Sequence, residues 1–343
     1  MVLHAREDTH FVPVNDKKNY NGIDLIKFLC AILVFIIHVP PFREEAFEFA
    51  GHVNFGLQDI ACRVAVPFYF ASSGFFLFKK MPLYKLDKDI ITSYCFKILR
   101  LLGTWHVLLF MGDTGHLWYL GATVIAIILL SLCFHFRIRL GYIYAIACVL
   151  YVIGLLGDSY YGIIAPLENI RIFRLLFKGY KLTFSTTRNG VFMGFIFVLM
   201  GATFSNSKII LKTQTALIGF VASMLCLFAE AFLLEYNNIP IEYNMYISLL
   251  PATFFLFSFA ASIELKDSSV YKHLRSIGTV IYFSHLFVSE FTLLAVSVVD
   301  KYFNNVLMRY QFILSLSFTL LIALFLVWLS QKERFKWVNW VLS

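Results

Sequence analysis

Apolar runs of about 20 residues recur along nearly the whole chain, each long enough to cross a bilayer core of about 30 Å. This feature constrains the fold more than any other. Ten such segments are read at 23–39, 60–78, 90–111, 116–134, 140–156, 190–204, 209–234, 246–263, 277–298 and 312–329. Of 343 residues, 59% are hydrophobic and only 15% charged, whereas a soluble domain carries about a quarter charged residues. A water-soluble enzyme, a disordered chain and a secreted disulfide scaffold are therefore excluded. The expected fold is all-α: one polytopic membrane bundle of about ten transmembrane helices over residues 21–330. Residues 1–20 and 331–343 are expected to be cytoplasmic tails. The first 20 residues are polar and of mixed charge, so they do not read as a cleaved signal peptide. The six cysteines all fall inside apolar runs without a CxxC pair, which suggests buried small hydrophobes and no metal site.

The formal charge is +8, and position assigns it to membrane faces, so no nucleic-acid partner is expected. With a cytoplasmic N-terminus, 17 Lys and Arg fall in inner connections and 8 in outer ones, and four lie within spans. That bias follows the positive-inside rule, so both termini of a multi-pass membrane protein are expected in the cytoplasm. Five of the eight outer cations, Arg171, Arg174, Lys178, Lys181 and Arg188, sit in the long loop 157–189. Long loops are less bound by the charge rule; alternatively these cations attract an anionic partner on the outer side.

Ionisable residues within spans are expensive, so each is a functional candidate beside its simpler reading as a snorkelling or packing residue. Lys27 and His38 are 11 residues apart on the first helix. They share a face and lie about 16 Å apart along the axis. Asp24, three residues before Lys27, is placed to pair with it. Lys97 and Arg100 put two cations on one face of the third and least apolar span. With Lys27 they are expected to face an inner cavity and hold an anionic group. Arg63, with Asp59 one turn earlier, lies at the outer end of the second span. Pro67 and the Ser72-Ser73-Gly74 run would permit a kink and a close helix approach, which by themselves are packing features. His116 begins a His-Leu-Trp-Tyr stretch that also reads as an interfacial aromatic belt. His285 reads as structural.

These residues resemble the membrane-bound acyltransferase family 3, bacterial inner-membrane proteins that O-acylate cell-envelope glycans. The matching stretches are Ile23-Asp-Leu-Ile-Lys27 through His38, Val66-Pro-Phe-Tyr-Phe-Ala-Ser-Ser-Gly-Phe75 and Lys97-Ile-Leu-Arg100. They continue with His116-Leu-Trp-Tyr-Leu120, Gly190-Val-Phe-Met-Gly-Phe195 and Ile281-Tyr-Phe-Ser-His285. The resemblance implies an acyl-CoA-dependent O-acyltransferase, moving an acyl group, with acetyl expected, from cytoplasmic acetyl-CoA or another acyl-CoA to a hydroxyl of an envelope glycan or lipid-linked sugar. It implies His38 as general base or acyl carrier, and Lys27, Lys97 and Arg100 as the acyl-CoA site. Arg63 and His116 would serve the acceptor, and Asp24, Asp59, Ser73 and Gly74 would support them. No permanently bound cofactor is implied; the lipid bilayer, acyl-CoA and the glycan are the partners.

Two other classes compete with that reading. One is a transporter or exporter of a glycan or small polar molecule, which also uses intramembrane cations and kinked helices, although no matching halves are evident. The other is a supply or partner module, because the membrane halves of vancomycin-resistance serine racemases look similar to this family. Against that stands the expectation that no racemase domain follows Ser343.

Overall fold

Prolines, glycines and polar caps bound the helices of this chain. The computed structural model describes residues 20–43, 47–109, 115–184, 186–206, 209–302 and 306–342, so nearly all of the tail at 1–20 lies outside the described residues. Helix α1 (Asn21–His38) ends where Val39 turns extended, because two prolines follow and the residue before a proline is pushed out of the helical region. Helix α2 (Ala50–Phe78) is wound irregularly, with a π turn at Phe55–Ile60 and a 3-10 turn at Ala61–Val64 before regular helix resumes at Ala65. Pro67 has no N–H for the carbonyl of Arg63, so the expected distortion lies upstream of the proline. Asp87 caps α3 (Lys88–Leu108), accepting from the backbone N–H of Asp89 and Ile90. Helices α4 (Gly115–His135) and α5 (Leu140–Leu156) follow.

The expected loop 157–189 is largely helical. It holds short turns over Tyr161–Asn169 and α6 (Arg171–Phe184). Asn189 then caps α7 (Gly190–Asn206) through Val191 and Phe192. The remaining long helices are α8 (Thr213–Tyr236), α9 (Leu249–Ser262), α10 (Ser269–Val299) and α11 (Leu307–Ser330). No strand occurs among the described residues, so the fold is all-helical.

Among the described residues, six helices, α1, α2, α4, α8, α10 and α11, are long and apolar enough to cross a membrane. A seventh is added if α5 and Tyr161–Asn169, bent by 82°, are taken as one span. This stands against the ten expected. Each of the ten segments contains a helix among the described residues, but α7 and α9 are short, and α3 carries too many polar and charged residues.

The tightest packing joins α2 to α7. A side chain at Gly74 would overlap the carbonyl of Val198, and one at Gly201 would overlap the carbonyl of Ala71. Two missing side chains thus let the helix backbones touch, as small residues do where lipid supplies no hydrophobic drive between helices. This matches the close approach expected of the Ser-Ser-Gly run. The main core gathers Phe68, Phe70, Phe197 and Phe257, and a smaller one joins α1, α10 and α11 through Phe35, Ile281 and Ala323. After α11 the chain folds back: the Trp105 indole donates to the carbonyl of Val341 at 3.2 Å, and Leu342 is buried.

Candidate functional site

Two cavities lie along α1 and share a wall. The larger, about 400 Å³, is at the Asn21 end. Asp24, Lys27, Lys97 and Arg275 line it, with the hydroxyls of Ser73, Tyr94 and Thr279. The smaller, about 40 Å³, is at the other end of α1 and is lined by His38, Arg63, His116, Arg188 and Asn244. Tyr119 and Tyr282 line both. With Tyr69 they form a cluster of three rings whose centroids are 5.8, 5.9 and 6.0 Å apart. This cluster is the septum between the cavities. The Tyr69 hydroxyl donates to the carbonyl of Lys27 at 2.7 Å, and the hydroxyls of Tyr119 and Ser73 lie 3.1 Å apart.

The charges of the larger cavity are arranged by depth. Lys97 and Arg275 are exposed at its mouth, Lys27 is half-buried and Asp24 is buried. Lys27 sits 5.6 Å from the Phe76 ring centroid. One Asp24 oxygen lies 3.6 Å from the guanidinium of Arg275. The other is buried with no hydrogen-bond partner among the described residues. A buried acceptor without a donor is unfavourable by roughly 1–3 kcal/mol, and more when charged. The expected pairing of Asp24 with Lys27 is therefore displaced by Arg275, counted from sequence as a loop cation. Arg275 reaches the cavity because α10 begins at Ser269, two turns before the span predicted at 277, with Ser268 accepting from the Val270 N–H.

The expected pair of Lys97 and Arg100 is divided. Lys97 lines the cavity, whereas the Arg100 guanidinium lies over the Trp340 ring at 4.7 Å. Arg100 thus contacts the returning C-terminal segment, which no helix-face argument on α3 alone reveals.

At the other end, three histidines cluster. Ring centroids of His38, His116 and His285 are 5.1 Å (His38–His285), 4.8 Å (His116–His285) and 6.4 Å (His38–His116) apart. His38 is exposed, His116 is 4% exposed and His285 is fully buried. His116 is therefore part of the core, where sequence also allowed an interfacial belt. Its Nε2 donates to the carbonyl of Phe283 at 3.0 Å, and the Tyr282 hydroxyl donates to the carbonyl of His116 at 2.7 Å. His285 donates through Nδ1 to the carbonyl of Tyr282 at 2.8 Å, and its Nε2 has no partner among the described residues. The π turn in α2 brings Gln58 against the end of α1, donating to the carbonyls of Ile36 and Ile37 at 2.8 and 3.1 Å beside His38.

Arg63 pairs with Asp59 at 2.5 Å, as expected, and also donates to Asn244 at 2.7 Å. Asn244 donates in turn to the buried carboxylate of Asp158 at 2.9 Å, which also accepts the backbone N–H groups of Asn244 and Met245. This network ties the connection after α8 to the irregularly wound middle of α2. Tyr243 reinforces it by donating to Glu235; burial and that carboxylate push the Tyr243 phenol up to about 12, so it remains a donor near neutral pH. Asp158 and Asn244 were not singled out from sequence, because they lie in connections whose partners are about 86 residues away in the chain.

No family model matches the chain, and no solved structure matches it significantly. Its relatives carry a consistent name. An amino-acid racemase of Enterococcus faecalis is 32% identical over 268 residues, covering 70% of this chain and 36% of that protein. A second amino-acid racemase of Enterococcus faecalis is 28% identical over 357 residues, covering 93% of this chain and 47% of that protein. A serine/alanine racemase of Enterococcus gallinarum is 28% identical over 295 residues, covering 77% and 40%. The chain thus spans less than half the length of these relatives.

They overturn the expected membership of the membrane-bound acyltransferase family 3 and, with it, the expected O-acyltransferase activity. The motifs behind that expectation have a broader physical basis. A small-residue helix contact, a buried His and a basic end of the bundle also suit polytopic bundles of other functions that enclose a polar cavity. They specify an architecture without specifying a chemistry.

Proposed function

We propose that this chain is a membrane module that binds a small amino acid and passes it across the bilayer in the service of a racemase. The observation that carries this reading is the buried, unsatisfied oxygen of Asp24 in a cavity shared with Lys27. An α-amino acid presents an ammonium and a carboxylate on one carbon, and such a cavity offers a partner of opposite charge to each. Lys97 and Arg275 at the mouth attract the carboxylate; Ser73, Tyr94 and Thr279 suit a hydroxyl side chain. The volume is at the lower end of the range of small-molecule sites, which favours a single small molecule over a glycan. The names of the relatives supply the class of substrate.

In this reading the tyrosine septum separates two access states, and the compartment of His38, Arg63, His116 and Asn244 receives the substrate once Tyr119 and Tyr282 part. Arg100 holds the C-terminal segment, Asp59 orients Arg63, and Gly74 allows the α2–α7 contact. The Asn21 end faces the cytoplasm, following the 17-to-8 distribution of cations.

Purified protein in liposomes is expected to exchange labelled L-serine saturably, with L-alanine competing. If neither binding nor exchange of small amino acids is detected, the reading is rejected. Replacing Tyr282 with Ala joins the two cavities, and saturable exchange is expected to give way to a passive leak. Tight liposomes with unchanged exchange would show that Tyr282 is no barrier. In intact cells, with the six native cysteines replaced, an impermeant thiol reagent is expected to label Asn237→Cys, with Lys85→Cys labelled only after permeabilisation. The reverse pattern inverts the orientation.

A further inference from the structure

Helix α6 divides into three faces. At about 100° per residue, Arg171, Arg174 and Lys178 fall within a sector of roughly 60°. Ile172, Leu175, Leu176 and Leu182 fill an adjoining sector of roughly 120°. Phe177, Tyr180 and Phe184 occupy the third. Among the described residues only the aromatic face is covered by the protein: Phe177 meets Tyr161 at 5.4 Å, and Tyr180 and Phe184 meet Phe192 at 5.6 and 5.0 Å.

The aliphatic face is bare. Ile172, Leu175, Leu176 and Leu182 are 64, 61, 65 and 90% exposed, and Ile163 and Ile170 extend this surface into the preceding turns. The basic face is also exposed, and none of its three residues forms an ion pair among the described residues. Arg174 makes one hydrogen bond, from Nε to the carbonyl of Glu168 at 3.0 Å. The chain turns by 82° between α5 and the segment leading into α6, so that segment runs across the bundle end instead of along the membrane normal.

We infer that α6 lies in the membrane interface at the His38 end of the bundle and binds anionic phospholipid headgroups. An aliphatic stripe beside a cationic stripe matches a leaflet, where acyl chains lie directly beneath phosphates. Unpaired cations next to the aliphatic face make the surface selective for net-negative lipid. A soluble polyanion would match the basic face but would leave the larger aliphatic face in water.

The test is hydrogen–deuterium exchange on the full chain in nanodiscs of phosphatidylcholine alone and of phosphatidylcholine with one-quarter phosphatidylglycerol. Amides of 171–184 are expected to exchange about tenfold more slowly with phosphatidylglycerol, with no change in α2 or α7. The R171Q/R174Q/K178Q triple variant is expected to lose that difference while keeping wild-type protection in α2 and α7, so failure to fold is recognised separately. Equal exchange of 171–184 in the two discs overturns the proposal. Equal protection by soluble polyphosphate in phosphatidylcholine discs also overturns it, and assigns the surface to a polymeric anion.

Discussion

Lys27→Met is expected to weaken L-serine binding by about 100-fold and to abolish exchange in liposomes. Methionine keeps the length and apolar character of the stem and removes only the charge. Taking away one member of a desolvated charge pair is unfavourable by about 2–5 kcal/mol, and each 1.4 kcal/mol is about tenfold in affinity. Lys27→Arg retains the cation and should lose about tenfold or less. Asp24→Asn completes the test, because it addresses the other end of the zwitterion. Its effect should be large for serine and small for glycerate, which carries a hydroxyl in place of the amine. Equilibrium binding to purified, monodisperse variants decides the matter. Wild-type affinity in Lys27→Met would remove the larger cavity as the amino-acid site.

Gly201→Leu is expected to be the most damaging single change to the fold. Any side chain at this position runs into the backbone carbonyl of Ala71, and a backbone atom retreats only if a whole helix moves. Overpacking on this scale is unfavourable by about 3 kcal/mol, lowering the thermal midpoint in detergent by roughly 5–10 °C. Gly103→Ala is the matched control. Its added carbon meets nothing within 4 Å, and alanine improves helix propensity by about 1 kcal/mol, so the midpoint should hold or rise. Similar midpoints for the two variants would mean that the α2–α7 contact is not a main support of the bundle.

The two contrasting fates of Lys97 and Arg100 show where reading from sequence runs out. Their i, i+3 spacing was enough to place them near one another on α3. It carried no information about Trp340, which arrives from the far end of the chain and lies against Arg100. Arg275 was hidden for a different reason: apolarity located the middle of α10, while the polar first turns are set by the Ser268 cap. His285 was visible as a buried histidine but read as structural, since its proximity to His38 and His116 depends on three helices meeting. Arg63 with Asp59 was legible because both partners lie one turn apart on a single element.

Sequence by itself determined the class of molecule. Apolar runs of bilayer length leave backbone groups no partners except those within each segment, so helices and their approximate centres follow from composition alone. It also set which residues of α1 share a face, since helical periodicity is a local property. The number of helices able to span was decided by caps, bends and charge placement, and is six or seven among the described residues. The paired cavities, the tyrosine septum and the histidine cluster were decided only by tertiary packing. Each joins residues from separate helices, and no local periodicity encodes which helices become neighbours or how deep their polar side chains sit.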